Sequence, residues 1–470
     1  MDGKLIEKID EAIFAAREDV IKDTIRLVNI KSVRDVPMPG APFGEGARRV
    51  LDEFLGMAED IGLYTEDYGV GVVSASMSRD DPDLGIWLHG DVVPEGGGWR
   101  FDPYDAVVHN GCIIGRGVTD NKGQLAAIYN LFKIFGKMGI TLSYNPAIYV
   151  GSCEESGMHD LVGLKGNPDA RGFLNVATPP RLSLVPDSGF PAGHGGKGGM
   201  DIWVMSEKPL SGISVTAGQN DAPGLAVATI DGEFSGLGHC EGCSVEVSGG
   251  KTVISSYTIP RHGTDPDPSG NMITNVARAL IECGLVSDDS LHVMEFIRDA
   301  SLDVYGGRYG LATEHPDMGK LTVYPKMLTN VDGRVEFMLN IRYPLGRTFE
   351  EIVSNIDALA SRYGMRVSRS NDKTHPYMHD PNGELLARLV DVARSVTGED
   401  KPSELIAGSA YSHHLPNAYL YGTDANRPPE DFPTDRGWAH GVDEAASIDR
   451  LLRAMRVYAR ALLMLDETEW

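Results

Sequence analysis

His89 and Asp91 stand two residues apart where an apolar run ends, in "LGIWLHGDVVPEGGG". Residues two apart in a strand point to the same side. A histidine and an aspartate on one face could bind a metal through one ring nitrogen, with the carboxylate orienting the ring. The same pair would also suit a polar surface turn. Asp120 lies in "GRGVTDNKG", at the start of a helical pattern. There it could cap the helix, or bridge two cations, one through each oxygen. Glu154 and Glu155 adjoin each other at the end of "PAIYVGSCEE". Adjacent like charges raise the proton affinity of one of them. A nearby cation relieves that repulsion, so one acid could bind metal while the other takes a proton from water. A solvated strand edge would look the same. Asp187 follows another apolar run in "LVPDSGFP", and His440 precedes a helix in "DRGWAHGVDEAASID".

Together these give five candidate metal ligands at element ends, His89, Asp120, Glu155, Asp187 and His440, and leave Glu154 as a base. Two imidazoles and three carboxylates suit borderline or hard divalent ions such as zinc, manganese or cobalt. The helical HExxH zinc motif is absent.

The elements that must position these residues alternate. Residues 4 to 28 read as one amphipathic helix, with Ile6, Ile9, Ile13, Ala16 and Val20 at helical spacing. A second helix is expected over about 44 to 61, and a third from Thr119 or Asp120 to about Gly136. Strands are expected at "GVGVVSAS", "LGIWLHG" and "PAIYVG", the second apolar throughout as in a strand covered on both faces. This order reads as α/β, and ligands in such sheets bind beyond the carboxyl ends of the strands. After Pro191, "AGHGGKGG" reads as a linker or turn. From about 200 to 375, strand-like pieces with two helices, near 270 to 284 and 348 to 362, have the pattern of an α+β unit. Residues 380 to 470 are again helical and are expected to rejoin the first part. The expected division is a catalytic domain from 1–191 and 377–470, with 192–376 inserted.

The chain has 470 residues, 42% of them hydrophobic, enough for a sizeable core. Its formal net charge of -24 argues against a nucleic acid or an anionic membrane as partner. Five cysteines, an odd and low count for this length, argue against a disulfide framework. The CxxC at Cys240 and Cys243 has no second CxxC to complete a zinc knuckle and reads as a packed turn. Acids in "MDGKLIEKIDEAIF" and the lack of an uninterrupted apolar stretch point to the cytoplasm.

"HGDVVPEG", "GRGVTDNKG" and "CEESG", in that order, resemble the zinc-dependent aminoacylase, carboxypeptidase and dipeptidase family, above all its long-lid bacterial dipeptidases. The resemblance covers essentially the whole chain. It implies a di-metal catalytic domain with an inserted α+β lid. His89, Asp120 and Asp187 would hold one metal, and Glu155 and His440 the other, with Asp120 bridging. Glu154 would be the general base and Asp91 the support of His89. In the lid, His262 would stabilise the oxyanion, Asn220 would contact substrate and Arg342 would bind its carboxylate. By residue type alone, His262 could be an ordinary loop histidine and Arg342 a strand-edge ion-pair partner.

"IAGSAYSHH" departs from the family's glycine, threonine and tyrosine pattern, because Ala410 takes the threonine position. Gly408, Ser409, Tyr411 and Ser412 remain candidates for the carboxylate cradle, and His413 and His414 could contact substrate or form a pocket rim. The reaction implied is hydrolysis of dipeptides with a free carboxylate, with N-acyl-amino-acid hydrolysis as the alternative. A non-catalytic metal-binding protein would be expected to lack the base or a ligand. An enlarged lid is expected to serve its own active site in a monomer, with a homodimer as the other arrangement.

Overall fold

A computed structural model describes the chain except Met1, residues 165–169, 219–223, 233, 235–241, 259–270, 407, 409, 424–431 and 434–435, and the side chains at 218, 224, 258, 372 and 373. Two compact units are present. One comprises 1–195, 378–404 and 410–470; the other comprises 196–377 and 405–409.

The first unit is built on a mixed sheet. Four strands run parallel in the spatial order Pro146–Gly151, Leu84–His89, Leu182–Val185 and Ala418–Leu420. Val72–Ser76 and then Tyr64–Asp67 add antiparallel strands beyond Pro146–Gly151. The central strands are buried along their whole length, as continuous apolar runs require. Helices Gly123–Met138, Glu384–Thr397 and Ile448–Asp466 supply much of the core, with Leu125, Ile128, Phe132, Leu389, Leu451, Tyr458 and Leu462 buried together. A small antiparallel sheet pairs Cys112–Ile114 with Val107–His109 and with Ala445–Ser447.

Three local expectations are corrected. Residues 4 to 28 form two helices, Gly3–Ala15 and Arg17–Val28. The break at Ala16 lets each half turn its own apolar residues inward, Ile9 and Ile13 from one and Val20, Leu27 and Val28 from the other. The expected helix start at Thr119 or Asp120 is a π-turn over Val118–Lys122, inside which Asp120 has extended backbone (φ -144°, ψ 83°); the α-helix begins at Gly123. The glycines after Pro191, expected to be a linker or turn, include a strand, Gly193–Gly196, in which Gly193 pairs with Leu420; the boundary between the two units falls within the same stretch.

The second unit is an eight-stranded antiparallel sheet in the order Ser244–Ser248, Lys251–Thr258, Gly224–Asp231, Ile213–Gly218, Thr322–Val331, Arg334–Tyr343, Gly198–Ser206 and Met365–Thr374. Helices Met272–Glu282, Asp288–Leu302 and Phe349–Ala360 share its core, where Ile202, Val204, Ile254, Val276, Ile297, Phe337 and Ile352 are buried. The fold is thus a mixed α/β domain with an inserted β-rich α+β unit. No helix among the described residues is long and apolar enough to cross a membrane.

Candidate metal centre

The parallel strands deliver their last residues to one place. His89 ends Leu84–His89, Glu154 and Glu155 follow Pro146–Gly151, and Asp187 follows Leu182–Val185. Asp120 arrives on the π-turn, just after Gly117. The φ of +86° at Gly117, and the approach of Val92 where a side chain would start, restrict that position to glycine. His440 arrives on a turn in which its own backbone is left-handed, at φ +64°.

Two groups of donors result. His89, Asp120 and Asp187 form one, and Asp120, Glu155 and His440 the other; within each, one ligand atom per residue lies within 4.8 Å of the rest. Asp120 belongs to both. Its Oδ1 is 2.9 Å from His89 Nε2 and its Oδ2 is 3.0 Å from His440 Nε2. His440 Nε2 is also 2.9 Å from Glu155 Oε1. The Asp120 carboxylate therefore meets two imidazoles and does not cap the helix.

Asp91 is fully buried, but it supports the site differently from expectation. His89 Nδ1 donates to the backbone carbonyl of Asp91 at 3.0 Å, and the nearest Asp91 carboxylate oxygen is 3.5 Å away. That carboxylate instead accepts the N–H groups of Glu154 and Glu155, both at 3.1 Å. One residue thus fixes the His89 ring, with Nε2 turned to the donors, and the backbone of both glutamates.

The electrostatics show an excess of negative charge. Burial works against a charged His89, but Asp120 and Asp91 outweigh it and hold the imidazole well above its usual range. Glu155 does the same for His440. Burial opposes ionisation of Asp120 too, yet the two imidazoles bring its carboxyl below the usual range. Asp187 is pushed up to about 7 by burial and by Asp120. Glu154 is driven well above the carboxylate range, first by burial, then by the acids around it. Its Oε1 is buried and has no hydrogen-bond partner among the described residues. A cluster of imidazole nitrogens and carboxylate oxygens that gathers protons to offset its own charge fits divalent cations.

Of the other candidates, Asn220, His262, Ser409 and Cys240 lie outside the described residues. Arg342 is on Arg334–Tyr343 in the inserted unit, buried, opposite Gly199 and Thr322. Burial lowers its proton affinity, against the nearby charge of Asp201. Gly408 has open space where a side chain would start. Tyr411 departs from the expected substrate contact. It is fully buried, its ring 6.1 Å from that of Trp87, and its hydroxyl donates to Asp160 Oδ2 at 2.5 Å. The same oxygen accepts the N–H groups of Ser152 and Cys153 at 2.7 and 2.9 Å, so the phenol holds the strand end that leads to the glutamates. Ser412 is buried, and its hydroxyl has no partner among the described residues. Ala410 N–H donates to His413 Nδ1 at 3.3 Å.

Sequence reasoning missed Asp160, Arg116, Lys122 and Glu444. Arg116, Lys122 and Glu444 lie within or beside motifs already quoted, "GRGVTDNKG" and "HGVDEAAS". A charged residue within an otherwise glycine-rich or small-residue turn is the signal that could have singled them out.

The chain is similar to several known proteins. A Staphylococcus saprophyticus protein with the provisional name of dipeptidase is 27% identical over 95% of this chain and 97% of its own. A similarly named Bacillus subtilis protein is 26% identical over 96% and 98%. Among solved structures, human carnosine dipeptidase 1 has a TM-score of 0.59 at 16% identity, covering 98% of this chain and 100% of that one. The Saccharomyces cerevisiae di-peptidase Dug1p has a TM-score of 0.58 at 13% identity, covering 99% of each chain. At those identities the two structures speak for the fold. Residues 86–464 match peptidase family M20/M25/M40. With that match spanning most of the chain and two donor groups sharing one aspartate, the protein belongs to this family and is a di-metal-dependent hydrolase.

Proposed function

We propose that this metal-dependent small-peptide hydrolase is a dipeptidase that cleaves dipeptides with a free carboxylate. Glu154 carries the reading: a buried carboxylate with an unpartnered oxygen, beside two donor groups that share Asp120. The provisional dipeptidase names of its relatives support the substrate class. His89, Asp120 and Asp187 would hold one divalent cation, and Asp120, Glu155 and His440 the other. The mixed nitrogen and oxygen donors suit zinc, with manganese or cobalt compatible. Bound there, two cations supply Lewis acidity and lower the proton affinity of water.

Glu154 takes the proton of the attacking water as its oxygen bonds to the carbonyl carbon. It then returns a proton to the leaving nitrogen as the C–N bond breaks, so the base is regenerated. Asp91 keeps both glutamates and the His89 ring in place. His262 is assigned the oxyanion, Asn220 a substrate contact and Arg342 the substrate carboxylate, for which a guanidinium's paired donors are suited. In the 408–412 segment, Gly408 and the Ser412 hydroxyl are assigned to that carboxylate, with Ser409 a further candidate by sequence, since the Tyr411 phenol is bonded to Asp160.

The test uses metal-stripped protein with zinc, manganese or cobalt restored separately, and a panel of dipeptides with matching N-acyl amino acids. Metal-dependent release from dipeptides is expected. Glu154→Gln should lower kcat by about 10²–10⁴-fold while still binding metal. Release from N-acyl amino acids alone would move the function to amidohydrolysis.

A further inference from the structure

Arg116 and Glu444 form an ion pair at 2.6 Å with both side chains about 1% exposed. Glu444 Oε1 accepts the Thr119 N–H at 2.9 Å and the Thr119 hydroxyl at 2.7 Å. Its Oε2 accepts the Gly117 N–H at 3.0 Å as well as Arg116 Nη1. One carboxylate thus fixes residues 117–119, which lead into Asp120. Arg116 Nη2 reaches the other way, donating to the His440 carbonyl at 3.1 Å and to the Glu95 carbonyl at 3.2 Å. The guanidinium also sits 5.2 Å from the centre of the Trp99 ring.

The pair therefore joins the segments that bring Asp120 and His440 together. His440 and Asp443 both have left-handed backbone, at φ +64° and +51°. Asp and His tolerate such conformations better than most non-glycine residues, and bonds from neighbouring groups hold them there. A buried ion pair adds little net stability over an apolar replacement, because desolvation offsets the attraction. Its arrangement here serves geometry.

We propose that Arg116 and Glu444 are positioning residues for cation binding, with separable effects: Glu444 sets Asp120, which both donor groups share, and Arg116 sets His440, which belongs to one. The inference rests on the cation reading above. Arg116→Lys keeps a positive charge beside Glu444 but lacks the rigid fork that also reaches the His440 carbonyl. Glu444→Gln removes the charge that gathers the 117–119 turn.

Metal-stripped full-length protein would be titrated with Co²⁺, followed by calorimetry and by the visible spectrum of the bound ion, with thermal melts as a folding check. The wild type is expected to take up two ions. Arg116→Lys should weaken one of them about tenfold and leave the other within a factor of about two, as expected for loss of a group that orients a ligand. Glu444→Gln should weaken both. Should either variant fail to fold, the signature of the other decides. Wild type binding two ions while folded variants bind both unchanged, or while Arg116→Lys weakens both equally, would overturn the positioning roles alone. A wild type that takes up fewer than two would overturn them together with the cation reading.

Discussion

Lys122 is fully buried, and its ammonium donates to the Ile30 carbonyl at 2.7 Å. Burial lowers its pKa to about 7, although Asp91 and Glu444 oppose the shift. Between pH 7 and about 10.4 the unfolded chain therefore binds more proton at this group than the folded one. Stability therefore rises with pH across that window, and below about pH 7, where both states hold the proton, this group's contribution levels off at its lower value. The displacement corresponds to a penalty on the order of 4 kcal/mol at and below neutral pH. Lys122→Met removes the charge and leaves the Ile30 carbonyl without its donor, which costs about 1–3 kcal/mol. Denaturant melts at several pH values should show the variant gaining on the wild type as pH falls from 10 to 7. A pH-independent difference would sink the argument. Such a role was not legible in the sequence, because it depends on what surrounds one lysine. The donors were legible for the opposite reason. His89, Asp120, Glu155, Asp187 and His440 are types that cation chemistry demands, and Glu154 is the base beside them; each follows an apolar run or precedes a helix. What Asp91 and Tyr411 do could not be read that way. Their groups bond backbone N–H and carboxylate partners that only the folded chain brings near.

The element that carries Glu154 and Glu155 is held at its end as tightly as along its length. A side chain starting at Gly151 would collide with the Tyr411 hydroxyl and the Asp160 carboxylate, which clamp the N–H groups of Ser152 and Cys153. Gly151→Ala should therefore destabilise the fold by about 1–3 kcal/mol, the range for an overpacked interior. It should also weaken cation binding, since the displaced strand end leads directly to Glu155. Melting and Co²⁺ titration of the same sample check both; an unaffected melt would contradict the clamp. Apolar runs such as Leu84–His89 and strongly periodic helices such as Ile448–Asp466 were legible because burial dictates their composition. The helix Asp288–Leu302 was missed: its core contacts come from Val293, Met294, Phe296 and Ile297, crowded into the middle of a polar stretch. The strand Gly193–Gly196 was read as a linker or turn because glycine carries no side-chain pattern, and only its pairing reveals it.

At the scale of the whole molecule, the two units have separate hydrophobic cores, one including Phe54, Leu131 and Leu462, the other Val204, Ile297 and Phe337. Every donor of both metal groups belongs to the first unit. Ligand binding stabilises what binds it, by RT ln(1 + [L]/Kd), or about 4 kcal/mol at a thousandfold excess over Kd. A divalent cation also relieves a site where Asp187 is pushed up to about 7 by burial and by Asp120. Cations should therefore stabilise the unit of 1–195, 378–404 and 410–470 directly and give the inserted unit no linkage of its own. Calorimetry of the full chain, with a chelator and then with zinc or manganese restored, is the check. The transition assigned to the first unit should rise by several degrees with metal and the other should hold its temperature, the assignment being made by Gly151→Ala, which lowers only the first. If metal moved both transitions together, the units would unfold as one cooperative body and the separate cores would not be separate in energy.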